Sequence, residues 1–340
     1  MTQEITGVQR FAREISIKLA SLRDDIVFLV PDINLLIEKE CLSDFNIIEI
    51  HGGNGHFWEQ FTLPLYMKKL GSPLLLNLCN TAPVFYKNKV ATHHDITYIK
   101  YPQSFSFSFR VLYKILSPLI MKTSKSIITV SEFSKQEIAS YYNINKSKIK
   151  VIYNAVDVKF NRGNVLNNKK QKPYLLAVSS QNYHKNFHGL VNAFLKLNPD
   201  IDLRIIGERN KSFSSRFINQ SNEKIIFMGR VSDTELIELY GNALAFVFPS
   251  LYEGFGIPPI EAQSCGCPVI SSNRASMKEV LENSALYFDP ENEEQIIDSM
   301  NKIINDKSTR LSLVDEGFKN VQRFSWHDSA KILNDHIKNI

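Results

Sequence analysis

Short apolar runs rich in Val, Ile and Leu alternate along this chain with longer segments whose apolar positions recur every three to four residues. The runs, bounded by Gly, Pro, Asn or Asp, read as buried strands; the longer recurrence reads as helices with one face turned to a core. Strands are predicted at Ile26–Val30, Leu74–Asn77, Lys89–Thr92, Ser126–Val130, Lys150–Tyr153, Tyr174–Val178, Leu203–Ile206, Ile225–Met228, Leu244–Pro249 and Val269–Ser271. Helices are predicted at Val8–Ser21, Phe107–Lys122, Ser134–Tyr141, Phe187–Leu197, Thr234–Gly241 and Glu293–Asn305. Such alternation is the pattern of α/β proteins with parallel sheets. Residues 158–173, VKFNRGNVLNNKKQKP, break it with a polar, Asn/Lys-rich stretch that reads as a linker.

With 340 residues, 44% of them hydrophobic, the chain is long enough for two domains. The expected architecture is two Rossmann-like doubly wound domains facing across a cleft. Residues 1–157 form the first and 174–320 the second, and a helix within 321–340 closes the chain by packing back towards the first. Ligands of such sheets bind beyond the carboxyl ends of the strands. No run of 18 apolar residues is present, and the start MTQEITGVQRFAREI lacks the basic and apolar regions of a secretory signal. Four dispersed cysteines show no disulfide framework, so a cytoplasmic setting is expected. The net charge of +5 arises in residues 1–162, the remainder being near neutral. A basic first half suits an anionic partner such as lipid head groups or diphosphates. Its cations are dispersed and no nucleic-acid motif accompanies them, which argues against nucleic acid.

The densest chemistry lies in residues 250–269, SLYEGFGIPPIEAQSCGCPV. Glu253 follows the strand LAFVFPS, and Glu261 is read as beginning a short helix that Gly266 and Pro268 end. Gly254 and Gly256 allow close approach of a ligand to the backbone. Loop amides and a helix N-terminus offer a positive pole for a diphosphate, with a carboxylate on either side to accept hydrogen bonds from hydroxyls. A sugar nucleotide has that shape of charge. Two bland alternatives are acids that merely serve a helix dipole, and a hydrolase carboxylate pair, which needs both acids in one small pocket.

EGFGIPPIEAQSCGCPVI resembles the E-x7-E signature of family-4 retaining glycosyltransferases, whose fold is the two-domain GT-B arrangement. TGVQRFAREI (6–15), HHDITYIKYPQSFS (93–106), TVSEFSKQEI (129–138), VIYNAVD (151–157), HKNFHGLVNAF (184–194), IIGER (205–209) and FMGRVSDTELIELY (227–240) agree with the family in the same order. The resemblance implies a donor nucleotide sugar whose ribose is bound by Glu261 and whose sugar meets Glu253. It implies that Lys185 neutralises the diphosphate and that amides near Gly7, Phe255 and Gly256 approach the phosphates. His94, of the His94-Asp95 pair, would lie near the transferred sugar, and the backbone around Arg230 and Val231 would hold the base. Many members carry an arginine where this chain has Ser179, so phosphate neutralisation would lean on Lys185 with His184 as helper. Asn154-Ala155 replaces the usual Asn-Gly of its loop, and the family's strand ahead of the TG-x-x-R helix has little room before Thr6.

The implied reaction transfers a hexosyl unit with α-linkage to a growing surface polysaccharide, O-antigen or capsule, on a lipid-linked acceptor. It needs no metal and no other cofactor. Residues 105–125 and 61–71 interleave apolar side chains with cations, which suits an anionic membrane surface at the inner face of the plasma membrane; a buried helix is the alternative. HGGNGH (51–56) lacks the strand and helix context of a dinucleotide loop and is read as a loop with His51 and His56, like Asp95, on the acceptor side. Asp200-x-Asp202 precedes a strand instead of capping one, and Cys265-Gly-Cys267 has no second ligand cluster, so neither is read as a metal site. Other readings that stay open are a nucleotide-sugar epimerase or hydrolase of the same fold, and an inactive binding subunit.

Overall fold

The computed structural model describes residues 6–36, 45–166, 172–178, 182–207 and 223–340. Within them lie twelve strands: β1 (Phe28–Val30), β2 (Ile47–Glu49), β3 (Leu75–Asn77), β4 (Lys89–Thr92), β5 (Ser126–Thr129), β6 (Ile149–Val151), β7 (Tyr174–Val178), β8 (Asp202–Ile206), β9 (Ile225–Gly229), β10 (Ala245–Phe248), β11 (Val269–Ser272) and β12 (Ala285–Phe288). Every pairing is parallel. The chain divides into two compact units. One comprises residues 1–99, 105–154 and 325–340; the other comprises 100–104 and 155–324.

The first unit contains a β1-β2 pair and a four-stranded sheet in the order β3-β4-β5-β6. β4 and β5 are buried along their whole length, Lys89 at the start of β4 included. The closing helix Trp326–Lys338 belongs to this unit. Its Trp326 ring meets Phe11 of the helix Gly7–Ala20 at 6.1 Å, and Ser329 Oγ donates to the Tyr153 carbonyl at 2.7 Å.

The second unit is one six-stranded sheet in the order β12-β11-β10-β7-β8-β9. Counted from β7, this is the 3-2-1-4-5-6 order of dinucleotide-binding folds. Its core gathers Leu175, Leu190, Phe194, Leu203, Val247, Ile270 and Met300, all fully buried. Pattern reading misses β2, β12 and the helices Leu63–Lys69, Met277–Leu281 and Lys307–Val321. β2 and β12 are short and only partly buried, so neither shows the long apolar run of a central strand.

Candidate active site

Reversal of strand order in the second unit marks where a ligand belongs. From the central β7 the chain moves through β8 and β9 on one side, then returns to β10 on the other. Parallel sheets take ligands beyond the carboxyl ends of the strands at such a switch point, here at the loops that follow β7 and β10. Lys185 stands in the first loop and Glu253 in the second.

Beyond β10 the chain reaches Glu253 and turns at Gly256, whose φ of +90° favours glycine, into the helix Ile257–Ser264. A Cβ at Gly256 would fall 2.5 Å from Met277 Cε. The sequence reading began this helix at Glu261; the structure begins it at Ile257. Pro258 and Pro259 sit in the first turn, where an amide would have had no intrahelical partner to lose. Glu261 consequently lies in the second turn, buried, with the Tyr240 hydroxyl donating to its Oε2 at 3.5 Å. Dipole stabilisation acts in the first turn, so it does not account for Glu261. Ser276 Oγ donates to the carbonyls of Glu253 at 3.0 Å and Phe255 at 3.1 Å and holds the loop's shape.

Beyond β7, the turn Tyr183–Lys185 ends at Asn186 in the left-handed region, and the helix Phe187–Leu197 follows. Lys185 Nζ donates to Glu253 Oε1 at 2.7 Å, with the two side chains 17% and 13% exposed. Next to them the Leu251 amide donates to the His184 carbonyl at 2.7 Å, so the loops are tied backbone to backbone. The His184 ring lies 2.9 Å from Ser104 Oγ through Nδ1, and its amide donates to the same oxygen at 3.3 Å. Burial, with the Lys185 charge adding to it, pushes His184 down to about 4. Its contacts with Ser104 fasten the turn that carries Lys185, and a pKa held low favours the neutral imidazole there.

Of the other second-unit candidates, Gly254 and Phe255 share the Glu253 loop, and Phe255 is buried against Phe324 at 5.3 Å. Arg230 and Val231 follow β9 and lead into the helix Asp233–Asn242, where Ser232 and Glu235 form a capping box. Ser179 lies outside the described residues. Asp202 opens β8 at its amino end and pairs with Lys172 at 2.9 Å, on the edge away from these loops. Cys265 and Cys267 are buried, and burial pushes the Cys265 thiol up to about 12 and the Cys267 thiol up as well. Protonated thiols are poor metal ligands. No group of three or more His, Cys, Asp or Glu side chains suited to a metal occurs among the described residues.

In the first unit, Gly7 opens its helix, and Phe11, one turn on, meets the His94 ring edge-on at 5.1 Å. His94 is buried just past β4; its amide donates to Asn80 Oδ1 at 2.9 Å, and Nε2 lies 3.3 Å from the Leu78 carbonyl. Burial pushes its pKa down to about 4. Asp95 Oδ1 accepts from the Thr97 amide at 2.8 Å and hydroxyl at 2.6 Å, starting the helix Thr97–Lys100. His51 Nδ1 is 3.0 Å from Glu49, and His56 Nδ1 is 3.6 Å from Glu59. The structure thus brings Lys185, His184, Glu253, the Gly254–Gly256 turn and Glu261 into one unit, and Gly7, His94 and Asp95 into the other. Ser104 and Ser276 escape sequence reading because no local pattern marks a hydroxyl whose partner is 80 or 23 positions away.

Comparison with known proteins bears on the family and the fold. The model for "Glycosyl transferases group 1" matches residues 159–320, and that for "Glycosyltransferase Family 4" matches residues 5–160. The O-antigen chain mannosyltransferase RfbU of Salmonella typhimurium is 35% identical over 241 residues, covering 70% of this chain and 66% of that protein. The O-antigen chain mannosyltransferase B of Escherichia coli is 30% identical over 268 residues, covering 72% of this chain and 70% of that protein. The chain belongs to the family-4 (group 1) glycosyltransferases. Anabaena HepE, solved with UDP and glucose, superposes with a TM-score of 0.76 at 16% identity over 99% of this chain and 97% of its own. That likeness assigns the GT-B fold to the family member described here.

Proposed function

We propose that this glycosyltransferase moves a hexosyl unit, mannosyl by the names of its relatives, from a nucleoside diphosphate sugar to a growing surface polysaccharide, with retention and α-linkage. The observation that carries the reading is the Lys185–Glu253 contact of 2.7 Å at the strand-order reversal, one helical segment from the buried Glu261. Lys185 is placed to stabilise the charge that develops on a leaving diphosphate. Glu253 orients the lysine and accepts from sugar hydroxyls, and Glu261 accepts from the ribose. The departing diphosphate takes the acceptor proton, so no separate base is invoked. With Lys185 supplying the cation, no metal is assigned to the reaction.

Release of nucleoside diphosphate from a panel of GDP-, UDP- and dTDP-sugars tests the reading. A slow, donor-specific release is expected, and EDTA should leave its rate nearly unchanged. No release from any donor would favour a binding subunit; a full metal requirement would return attention to Asp202 and its neighbours.

The acceptor is proposed to be lipid-linked and met at an anionic membrane surface on the cytoplasmic face. In the helix Phe107–Thr123, Phe107, Val111, Ile115 and Leu119 recur every fourth residue and are all exposed, Phe107 at 74% and Ile115 at 59%. Arg110, Lys114, Lys122 and Lys125 accompany them, and residues 105–125 contain no acid. Such a stripe suits the interface of a bilayer, each cation adding roughly 1 kcal/mol near anionic lipid in a salt-dependent way. No helix among the described residues is long and apolar enough to cross a membrane. Flotation with phosphatidylglycerol vesicles at low salt should recover the protein, and high salt or neutral vesicles should release it. Equal recovery with both vesicle types, or none with either, would end the membrane part of the proposal.

A further inference from the structure

Between the carboxyl ends of β2 and β3 the first unit carries a polar cluster centred on Glu59, to which nothing so far gives a role, beside the His56 that the sequence reading set on the acceptor side. Beyond β2, the loop His51–Gly55 is exposed, with φ values of +137°, +93° and +52° at Gly52, Gly53 and Gly55. It runs into a short helix, Gly55–Phe57, and then a π-helical turn, Trp58–Thr62. Turns of this kind are rare and recur at functional sites. The widened turn puts neighbouring side chains to different uses. Trp58 is buried, and its Nε1 donates to the Ile50 carbonyl at 2.7 Å. Gln60 binds the loop beyond β3 twice, donating to the Ala82 carbonyl at 3.0 Å and accepting from the Val84 amide at 2.9 Å. Glu59 stands between them. Thr81 Oγ1 donates to its Oε1 at 3.0 Å, Gln60 Nε2 lies 3.2 Å from its Oε2, and His56 Nδ1 is 3.6 Å from the same oxygen.

Stability alone does not call for this arrangement. A carboxylate 15% exposed bears a desolvation cost, and Gln60 already anchors the 81–84 loop without it. Its two oxygens also retain capacity for further donors. The same loop holds the His94 amide through Asn80 and the His94 ring through Leu78, so Glu59 and His94 are braced by one stretch of chain at the edge where parallel strands take ligands. Burial first, and the Glu59 charge after it, push Tyr113, on the helix Phe107–Thr123, up to about 12. Contact with Glu59 raises the pKa of half-exposed His56. A carboxylate beside an imidazole that can donate repels phosphate, yet it matches the neighbouring hydroxyls of a neutral sugar ring.

We propose that Glu59, with His56, is the acceptor-recognition pair: the carboxylate accepts hydrogen bonds from adjacent hydroxyls of the acceptor's terminal sugar, and the glycine loop 51–55 lets the sugar approach. This rests on the transferase reading above and adds to it the residue that selects the acceptor.

The test is steady-state transfer to octyl glycosides of mannose, galactose, glucose, rhamnose and N-acetylglucosamine, at saturating donor. Glu59→Gln keeps the size of the side chain and an oxygen for Thr81. It should raise the acceptor KM about tenfold or more, the loss of hydrogen bonds to a charged group, while kcat at saturating acceptor and the Tm change little. Nucleoside diphosphate affinity, measured by titration, should stay within about twofold of the parent protein. An acceptor KM within about twofold of the parent would overturn the proposal. A joint loss of kcat, Tm and acceptor binding would overturn it in favour of a structural carboxylate. Nucleoside diphosphate release by the parent protein without transfer to any glycoside would remove a terminal sugar as the ligand. Absence of that release would instead fail the transferase reading, and the acceptor assignment with it.

Discussion

Lys185→Ala is expected to lower kcat by about two orders of magnitude or more, because a preorganised donor aimed at developing charge contributes on that scale. Its Nζ is held 2.7 Å from Glu253 Oε1 at the end of a turn that His184 and Ser104 fix, so little reorganisation is needed when the diphosphate departs. The substitution also leaves a largely buried carboxylate without its partner, and a lower Tm should accompany the kinetic loss. Lys185→Arg separates the two effects. It keeps the charge and most of the stability, yet the guanidinium carries that charge in a different geometry, so kcat should recover only in part. A loss of about tenfold or less in the alanine variant, at unchanged Tm, would mean that the phosphate charge is met elsewhere.

The two carboxylates should separate in their kinetics. Glu261→Ala is expected to raise the donor Kd by about tenfold or more, as the loss of hydrogen bonds between a charged group and its ligand does, with a smaller change in kcat. Glu261 is buried in the second turn of its helix beside Tyr240, the fixed setting of a group that binds equally in ground and transition states. Glu253→Ala should mainly lower kcat, by about tenfold or more, since it removes the carboxylate that holds Lys185 Nζ and, in the proposed reading, a partner for the sugar. Isothermal titration with the nucleoside diphosphate, run beside initial-rate kinetics, reads both. Wild-type behaviour in both variants would remove the site assignment.

Much of the molecule can be read without its coordinates. Strands β4 and β7 and the helices Phe187–Leu197 and Glu293–Asn305 appear at their predicted bounds, because periodicity and turn residues act over a few positions. The Glu253–Glu261 motif is read for the same reason: its glycines, prolines and acids lie within one short segment. Even there one boundary slipped. The helix begins at Ile257 with Pro258 and Pro259 inside its first turn, which moved Glu261 from the helix start to the second turn.

By itself the chain determined its alternation of strands and helices and the candidate acids and lysine, all of which depend on neighbours close in sequence. Tertiary structure alone decided what those groups meet. Lys185 and Glu253 are 68 positions apart and come within 2.7 Å only because β7 and β10 lie side by side. Ser104 reaches His184 across 80 positions, and burial lowers the pKa of that imidazole, neither of which the residue type alone shows. The helix Phe107–Thr123 turned Ser117, Ile120 and Met121 inwards and left its equally apolar Phe107, Val111, Ile115 and Leu119 exposed. Periodicity shows that a helix has an apolar face; which face is covered depends on the order in which distant strands pair, and no local window of sequence contains that order.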